Sequence, residues 1–149
     1  MKNTVEEKIR NAFSGAEIPR GKLCVDTYDY EGAHEHFTGT SWEEHDVVSL
    51  RKYESSMCFF TPEAFHYYLP AFMLAEIKDP ETADVISENI AHHFIDGAYK
   101  EERLAQFNEV QLKAVIEFLD LCAERYNDGI YDVLFRSAAH EVRKALNGS

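Results

Sequence analysis

The chain has 149 residues, of which 45% are hydrophobic and 13% aromatic, and its formal net charge is −12. This length and composition are typical of one globular unit with its own core, so we expect a single domain over residues 1–149. The negative charge argues against nucleic-acid binding, because contacts to a phosphate backbone require Lys and Arg. The N-terminus has no apolar run of signal-peptide length, and polar residues and a proline interrupt the most apolar stretch. The sequence therefore predicts neither a secretory signal nor a membrane span.

The chain contains three widely spaced cysteines, Cys24, Cys58 and Cys122. Their number and spacing predict neither a disulfide framework nor a paired zinc motif. Cys58 and Cys122 lie in apolar runs, so we expect both thiols to be buried. Unpaired cysteines of this kind suit a reducing compartment, and we predict a cytoplasmic protein.

Two capping boxes predict helices in the N-terminal half of the chain. Thr4 pairs with Glu7 in the first, and Ser41 pairs with Glu44 in the second. The two helices are predicted to span residues 3–13 and 42–53, with the inner residues Val5, Ile9, Phe13, Trp42, Val47, Leu50 and Tyr53. The intervening residues 15–40 have no helical period and are predicted to be irregular, apart from a short strand at 23–25 and a short helix that ends at Phe37.

The most apolar and aromatic stretch of the chain is residues 57–77. Thr61 is a favourable N-cap, and Pro62 follows at the first helical position, where its missing N–H costs nothing. A helix that is apolar on nearly all sides is predicted to lie inside the protein, surrounded by the other helices. Pro70 is predicted to kink this helix or to split it in two.

Start and stop signals predict four more helices, over residues 79–94, 100–107, 109–126 and 130–146. Their predicted inner residues are Val85, Ile86, Ile90, Phe94, Val110, Val115, Phe118, Leu119, Cys122, Ile130, Val133, Leu134, Ala138, Val142 and Leu146. Together these elements predict an all-α fold, a compact bundle of five to seven helices with one irregular N-terminal segment.

The negative charge is concentrated in the middle of the chain. Residues 23–99 contain fifteen acidic residues but only Arg51, Lys52 and Lys78 as bases, whereas acids and bases nearly cancel in the two ends. A field of one sign steers basic partners and raises their association rates. It also keeps a protein soluble, and that alternative explanation stays open.

An acidic and aromatic segment, residues 26–46, is the first candidate site. Carboxylates pair with the Arg and Lys of a partner, and Tyr supplies rigid contact area. The predicted partner-binding residues are Asp26, Asp29, Tyr30, Glu31, Glu35, Glu43, Glu44 and Asp46. The alternative is a solvated loop whose aromatic residues attach it to the core, and we expect Trp42 to be a core residue in either case.

Histidines and carboxylates offer two weaker candidates. His34, His36 and His45 could supply imidazole ligands to zinc, but they match no established spacing. Glu63 and His66 share one helix face and could form an acid–base pair. We expect instead that His66 is a hydrogen-bonded core histidine and that Glu63 is a helix-start acid, because no nucleophile or phosphate loop accompanies them.

Three stretches carry a family resemblance: Phe37 to Trp42, Phe59 to Phe72, and Phe107-Asn108 before the helix that contains Phe118-Leu119. Over residues 30–125 they resemble a family of small acidic bacterial proteins, domain of unknown function 6714. The resemblance implies a fold family and no particular chemistry. By analogy alone, such small, acidic, cytosolic proteins are similar to immunity proteins that neutralise bacterial toxins.

We therefore expect a cytoplasmic acidic binding protein, most simply an immunity protein that occludes a basic bacterial toxin such as a nuclease. We expect no cofactor, no catalytic residue and no metal site. Two alternatives remain: a small metal-dependent enzyme that uses the histidine segment, and a self-associating structural protein that forms a homodimer through leftover apolar surface.

Overall fold

The structure, a computed structural model, describes residues 2–24, 32–97 and 99–148, with side chains from Thr4 onward in the first helix. The predicted all-α fold is confirmed: these residues form nine α-helices, two short 3₁₀-helices and no strand. No helix among them is both long and apolar enough to cross a bilayer. The helices are α1 Lys2–Phe13, α2 Ala33–Phe37, α3 Val47–Lys52, α4 Pro62–Lys78, α5 Pro80–Ala83, α6 Ile86–Ile95, α7 Lys100–Ala105, α8 Glu109–Arg125 and α9 Tyr131–Leu146.

The five long helices form a closed ring of packed pairs. Helix α1 packs against α4 and α8, α9 packs against α8 and α6, and α6 packs back against α4. The short helices α3, α5 and α7 also pack on α4, which places α4 at the centre of the fold.

Helix α4 begins and runs as its sequence predicts, with one exception. The Thr61 hydroxyl accepts the Ala64 N–H at 3.2 Å, and Pro62 occupies the first turn. Every residue from Ala64 to Ile77 except His66 is buried. Of the two outcomes predicted for Pro70, the split is wrong, because α4 continues through this residue without interruption, and the kink stays a prediction. Proline removes one backbone hydrogen bond, and the helices that surround α4 on all sides hold its axis together.

Two polar links join α4 to α8. His66 Nε2 lies 2.8 Å from Gln111 Oε1, near the start of both helices. Near their ends, Arg125 donates to the carboxylate and to the carbonyl of Glu76, each at 2.9 Å. The links follow the same order along both helices, so α4 and α8 run in the same general direction.

Glu76 is the charged residue of α4 that lies in the core. Its side chain is fully buried, and its Oε2 also accepts the Tyr126 hydroxyl at 2.6 Å. Burial raises the pKa of Glu76, because a carboxylate loses its hydration, while the Tyr126 and Arg125 donors oppose that rise. Arg125 and Tyr126 at the end of α8, together with Ser87 on α6, therefore offset part of the cost of burying Glu76.

Two predicted helices are each divided in the structure. Residues 42–53 form a 3₁₀-helix, Trp42–Glu44, and then α3, because Asp46 caps a new helix by accepting the Ser49 N–H at 2.8 Å. Residues 79–94 are interrupted at Asp84, whose φ of 53° is outside the helical range.

Several predicted positions are also wrong. Thr4 lies inside α1 rather than capping it. Of the strand predicted at 23–25, Cys24 forms one isolated antiparallel bridge to Phe60, and Val25 lies outside the described residues. Cys58 is exposed, because it ends a 3₁₀-helix whose buried side is formed by Ser56 and Met57. Three residues predicted to point inward are exposed, because they lie at or before the first turns of α8 and α9: Val110, Ile130 and Val133.

The Glu76 network predicts a specific stability effect. Tyr126→Phe should lower the free energy of unfolding by about 1–3 kcal/mol, because a buried carboxylate loses a hydrogen-bond donor. Urea unfolding followed by circular dichroism measures this change. Tyr131→Phe is the matched control, because Tyr131 is exposed and its hydroxyl has no hydrogen bond to any described residue. Equal stability of Y126F and the unsubstituted protein would contradict the role given to this hydroxyl.

Candidate functional site

The predicted acidic segment is only partly described. Asp26, Asp29, Tyr30 and Glu31 lie outside the described residues. The four other predicted residues are exposed, and together they are called the acidic face: Glu35, Glu43, Glu44 and Asp46.

Aromatic residues attach this segment to the core. The Trp42 side chain is buried, as expected, and its Nε1 donates to the Phe13 carbonyl at 3.3 Å. The Tyr68 hydroxyl on α4 lies 2.7 Å from the Phe37 carbonyl oxygen and 2.9 Å from that of Thr40. The backbone that carries the carboxylates is therefore attached to the core by hydrogen bonds, and the carboxylates themselves are exposed to solvent.

Capping interactions orient the acidic residues. The predicted capping box is present: the Ser41 N–H donates to Glu44 Oε2 at 2.5 Å, and the Ser41 hydroxyl accepts the Glu43 N–H at 3.2 Å. Asp46 caps α3 in the same way. Backbone N–H groups at helix starts favour nearby carboxylates, so the local fold supports a negative charge here.

The histidines of this segment have structural partners. His36 Nε2 lies 3.0 Å from Ser49 Oγ and its ring stacks on Tyr53, whereas His45 Nε2 lies 2.8 Å from Thr40 Oγ1. No group of three or more His, Cys, Asp or Glu side chains suited to a metal ion occurs within the described ranges. The geometry gives His36 and His45 packing and hydrogen-bond roles.

The Glu63 and His66 pair has the structure expected of it. Glu63 is exposed in the first turn of α4, whereas His66 is hydrogen-bonded to Gln111 and packs between the rings of Phe13 and Phe107. Burial lowers the pKa of His66, because the charged imidazolium would lose its hydration.

Ion pairs are distributed unevenly along the chain. Within residues 32–97, the ion-paired carboxylates are Glu54 and Asp84, both with Arg51, and Glu76 with Arg125. The pairs in the two ends of the chain are Lys8–Glu117, Arg10–Glu6, Lys113–Glu109, Arg136–Asp132, Arg143–Asp120 and Glu141 with both Lys100 and Lys144.

The other carboxylates of the middle have no ion-pair partner in the described part of the chain. All are exposed except the half-buried Glu88. They are Glu35, Glu43, Glu44, Asp46, Glu63, Asp79, Glu81, Glu88 and Asp96. The charge excess seen in the sequence is therefore also an excess of unpaired surface charge.

Two grooves adjoin these carboxylates. A smaller groove of about 220 Å³ lies between the 3₁₀-helix Trp42–Glu44 and α4, where Glu43 and Asp46 face the cations of Arg10 and Lys78. A larger groove of about 620 Å³, the α5–α9 groove, is lined by acidic residues of α5 and α6 and by aromatic residues near the α8–α9 turn. Its acidic lining residues are Glu81, Asp84 and Glu88, and its aromatic lining residues are Tyr126, Tyr131 and Phe135.

Helix α3 connects the acidic face to the α5–α9 groove. It follows Asp46 directly, packs on α5, and Arg51 near its end pairs with Asp84 at 3.0 Å. The sequence analysis missed the groove, because its acidic and aromatic residues are about forty positions apart in the chain. The only local sign of this region in the sequence was the helix start at residues 79–81, where an N-cap aspartate is followed by a proline and a glutamate.

Buried histidines predict that acid destabilises the protein. Burial lowers the pKa of His36, His45, His66 and His93 from the ordinary value of 6.5. Below that value the unfolded chain takes up protons that the folded protein resists, so the free energy of unfolding falls as the pH drops through 6.5. Urea unfolding on both sides of this pH should show the loss.

His45→Gln should reduce this pH dependence, because it removes one of the four histidines whose pKa is lowered. The glutamine amide can still form a hydrogen bond with Thr40. Identical pH profiles for H45Q and the unsubstituted protein would contradict the assignment.

Comparison with known proteins extends the resemblance found in the sequence. A profile of a family of unknown function, DUF6714, matches residues 1–140. No curated protein and no solved structure matches the chain. The match covers every residue of the acidic face and every lining residue of the α5–α9 groove, and it ends inside α9. The chain belongs to the DUF6714 family.

Proposed function

We propose that this protein is an acidic binding protein that occludes the basic surface of a protein partner. One observation carries the proposal: nine of the twelve carboxylates in residues 32–97 form no ion pair within the described residues, compared with six of the twelve in residues 2–24 and 99–148. A carboxylate without an ion pair keeps its negative charge uncompensated even where it caps a helix, so it is available to a partner of the opposite sign.

The attachment of the acidic face to the core supports this role. The Trp42 indole of this segment donates to the Phe13 carbonyl of α1, and the Tyr68 hydroxyl of α4 donates to the Phe37 carbonyl of the segment. The carboxylates are therefore positioned before a partner arrives. A preorganised surface loses less conformational entropy on binding than a flexible loop does.

In its most specific form, the proposal is that the partner is a bacterial toxin with a cationic active site, such as a nuclease, and that this protein is its cytoplasmic immunity protein. A site that binds nucleic acid must be basic, because it contacts phosphates. A fixed array of carboxylates presents a similar negative charge and competes with the phosphates for the same site. The small size and acidity of the chain agree with this role.

The structure offers less support for the metal-dependent enzyme that the sequence left open. His36 and His45 are engaged by the hydroxyl groups of Ser49 and Thr40, and their pKa values are lowered chiefly by burial. We therefore retain the binding protein as the proposed function.

A pull-down from an extract of the organism's own cells tests the proposal. The tagged protein should retain a basic protein at about 0.1 M salt and release it at about 1 M, because the screening length falls from about 10 Å to about 3 Å. Mass spectrometry identifies what is retained.

Two double variants make the test specific to the acidic face. Glu43→Gln with Glu44→Gln should retain less of the partner, and glutamine at position 44 can still complete the capping box. Glu101→Gln with Glu102→Gln removes the same charge from exposed positions on α7 and should retain as much as the unsubstituted protein. Retention of no basic protein, or equal retention by all three baits at both salt concentrations, would overturn the proposal.

A further inference from the structure

The α5–α9 groove combines an aromatic wall with an acidic rim. Tyr126 and Tyr131 line the groove, and the Tyr126 ring stacks on the fully buried Phe135 ring with centroids 5.8 Å apart. Glu81 and Glu88 line the same groove from α5 and α6. A volume of about 620 Å³ is ample for a large side chain or a small organic molecule.

The charges in the groove leave a net negative balance. Arg125 lines the groove, but its guanidinium is paired with Glu76. Asp84 is likewise paired with Arg51. Glu81 and Glu88 have no ion-pair partner in the described residues, so the groove as a whole favours a cation.

The fully buried carboxylate of Glu76 is hydrogen-bonded to residues that line the groove. Both donors to Glu76 Oε2, Arg125 and Tyr126, are lining residues of the groove. The hydroxyl of Ser87, another lining residue, also interacts with this buried carboxylate. Glu76 and Arg125 neutralise each other, so the negative balance of the groove comes from Glu81 and Glu88.

We propose that this groove binds an arginine side chain of the basic partner, and this inference rests on the proposed function. A guanidinium group stacks on aromatic rings and donates to carboxylates in its own plane, so it matches both the wall and the rim. A lysine ammonium matches the rim but lacks the planar face that stacks on the wall. The groove therefore serves as the anchor point of the interface, at the far end of the acidic surface from Glu43.

Nuclear magnetic resonance titration of the full chain with N-acetyl-arginine-N-methylamide tests the site directly. We expect saturable shifts of backbone amide signals at Ser87, Tyr126 and Tyr131. The lysine analogue should bind at least about threefold more weakly, and the uncharged norleucine analogue should produce no saturable shift.

Three variants locate the binding. Glu81→Gln with Glu88→Gln should weaken arginine binding at least about threefold, and Tyr131→Ala should weaken it without any change of charge. Glu101→Gln with Glu102→Gln is the matched control and should leave the dissociation constant unchanged. All three substitutions are at exposed or half-buried positions, and circular dichroism checks that each variant is folded.

The outcomes separate this inference from the proposed function. Absence of saturable shifts, equal binding of the norleucine analogue, or equal weakening by both glutamine pairs would overturn the arginine site. A salt-sensitive partner retained in the pull-down alongside any of these results would leave the proposed function standing with another anchor. Arginine binding with no retained partner would reject the proposed function while keeping the groove as a cation site.

Discussion

The fold depends on burying α4, a helix that is apolar on almost every side. Fully burying side chains such as Phe65, Phe72 or Ile77 contributes about 1.5–3 kcal/mol each, which forces the other helices to surround α4. The same burial carries Glu76 into the core, where an isolated carboxylate would be very unfavourable. The end of α8 supplies Arg125 and Tyr126 to that carboxylate, and so the most apolar helix of the protein also fixes the position of the α8–α9 turn.

This constraint has a consequence at the surface. Placing Arg125 and Tyr126 at the end of α4 brings the α8–α9 turn beside α5 and α6, and the α5–α9 groove lies between them. At the other side of α4, Trp42 and Tyr68 hold the segment that carries the acidic face. Two regions far apart in the sequence are thus attached to the same central helix, and α3 joins them into one acidic surface.

The sequence predicted the features that local chemistry determines. The Thr61-Pro62 start, the Ser41 capping box, and the buried side chains of Trp42, Ile90 and Phe118 follow from spacing and are present. What the sequence did not reveal has two sources. Residues 42–53 divide because of a local competitor, the Asp46 cap, whereas Pro70 is tolerated through tertiary contacts, because α4 is surrounded. Likewise, the α5–α9 groove joins residues whose separation in the chain gives no periodic signal.

The central claim is that charge on the unpaired carboxylates, rather than apolar surface, brings the partner to this protein. The most direct test is the association rate constant of the retained partner, measured by stopped flow over a range of salt concentrations. The account predicts a fall of at least about tenfold between about 0.1 M and 1 M salt, because electrostatic steering is screened. A rate constant that stays the same over this range would contradict it, and the recognition would then have to come from another part of the surface.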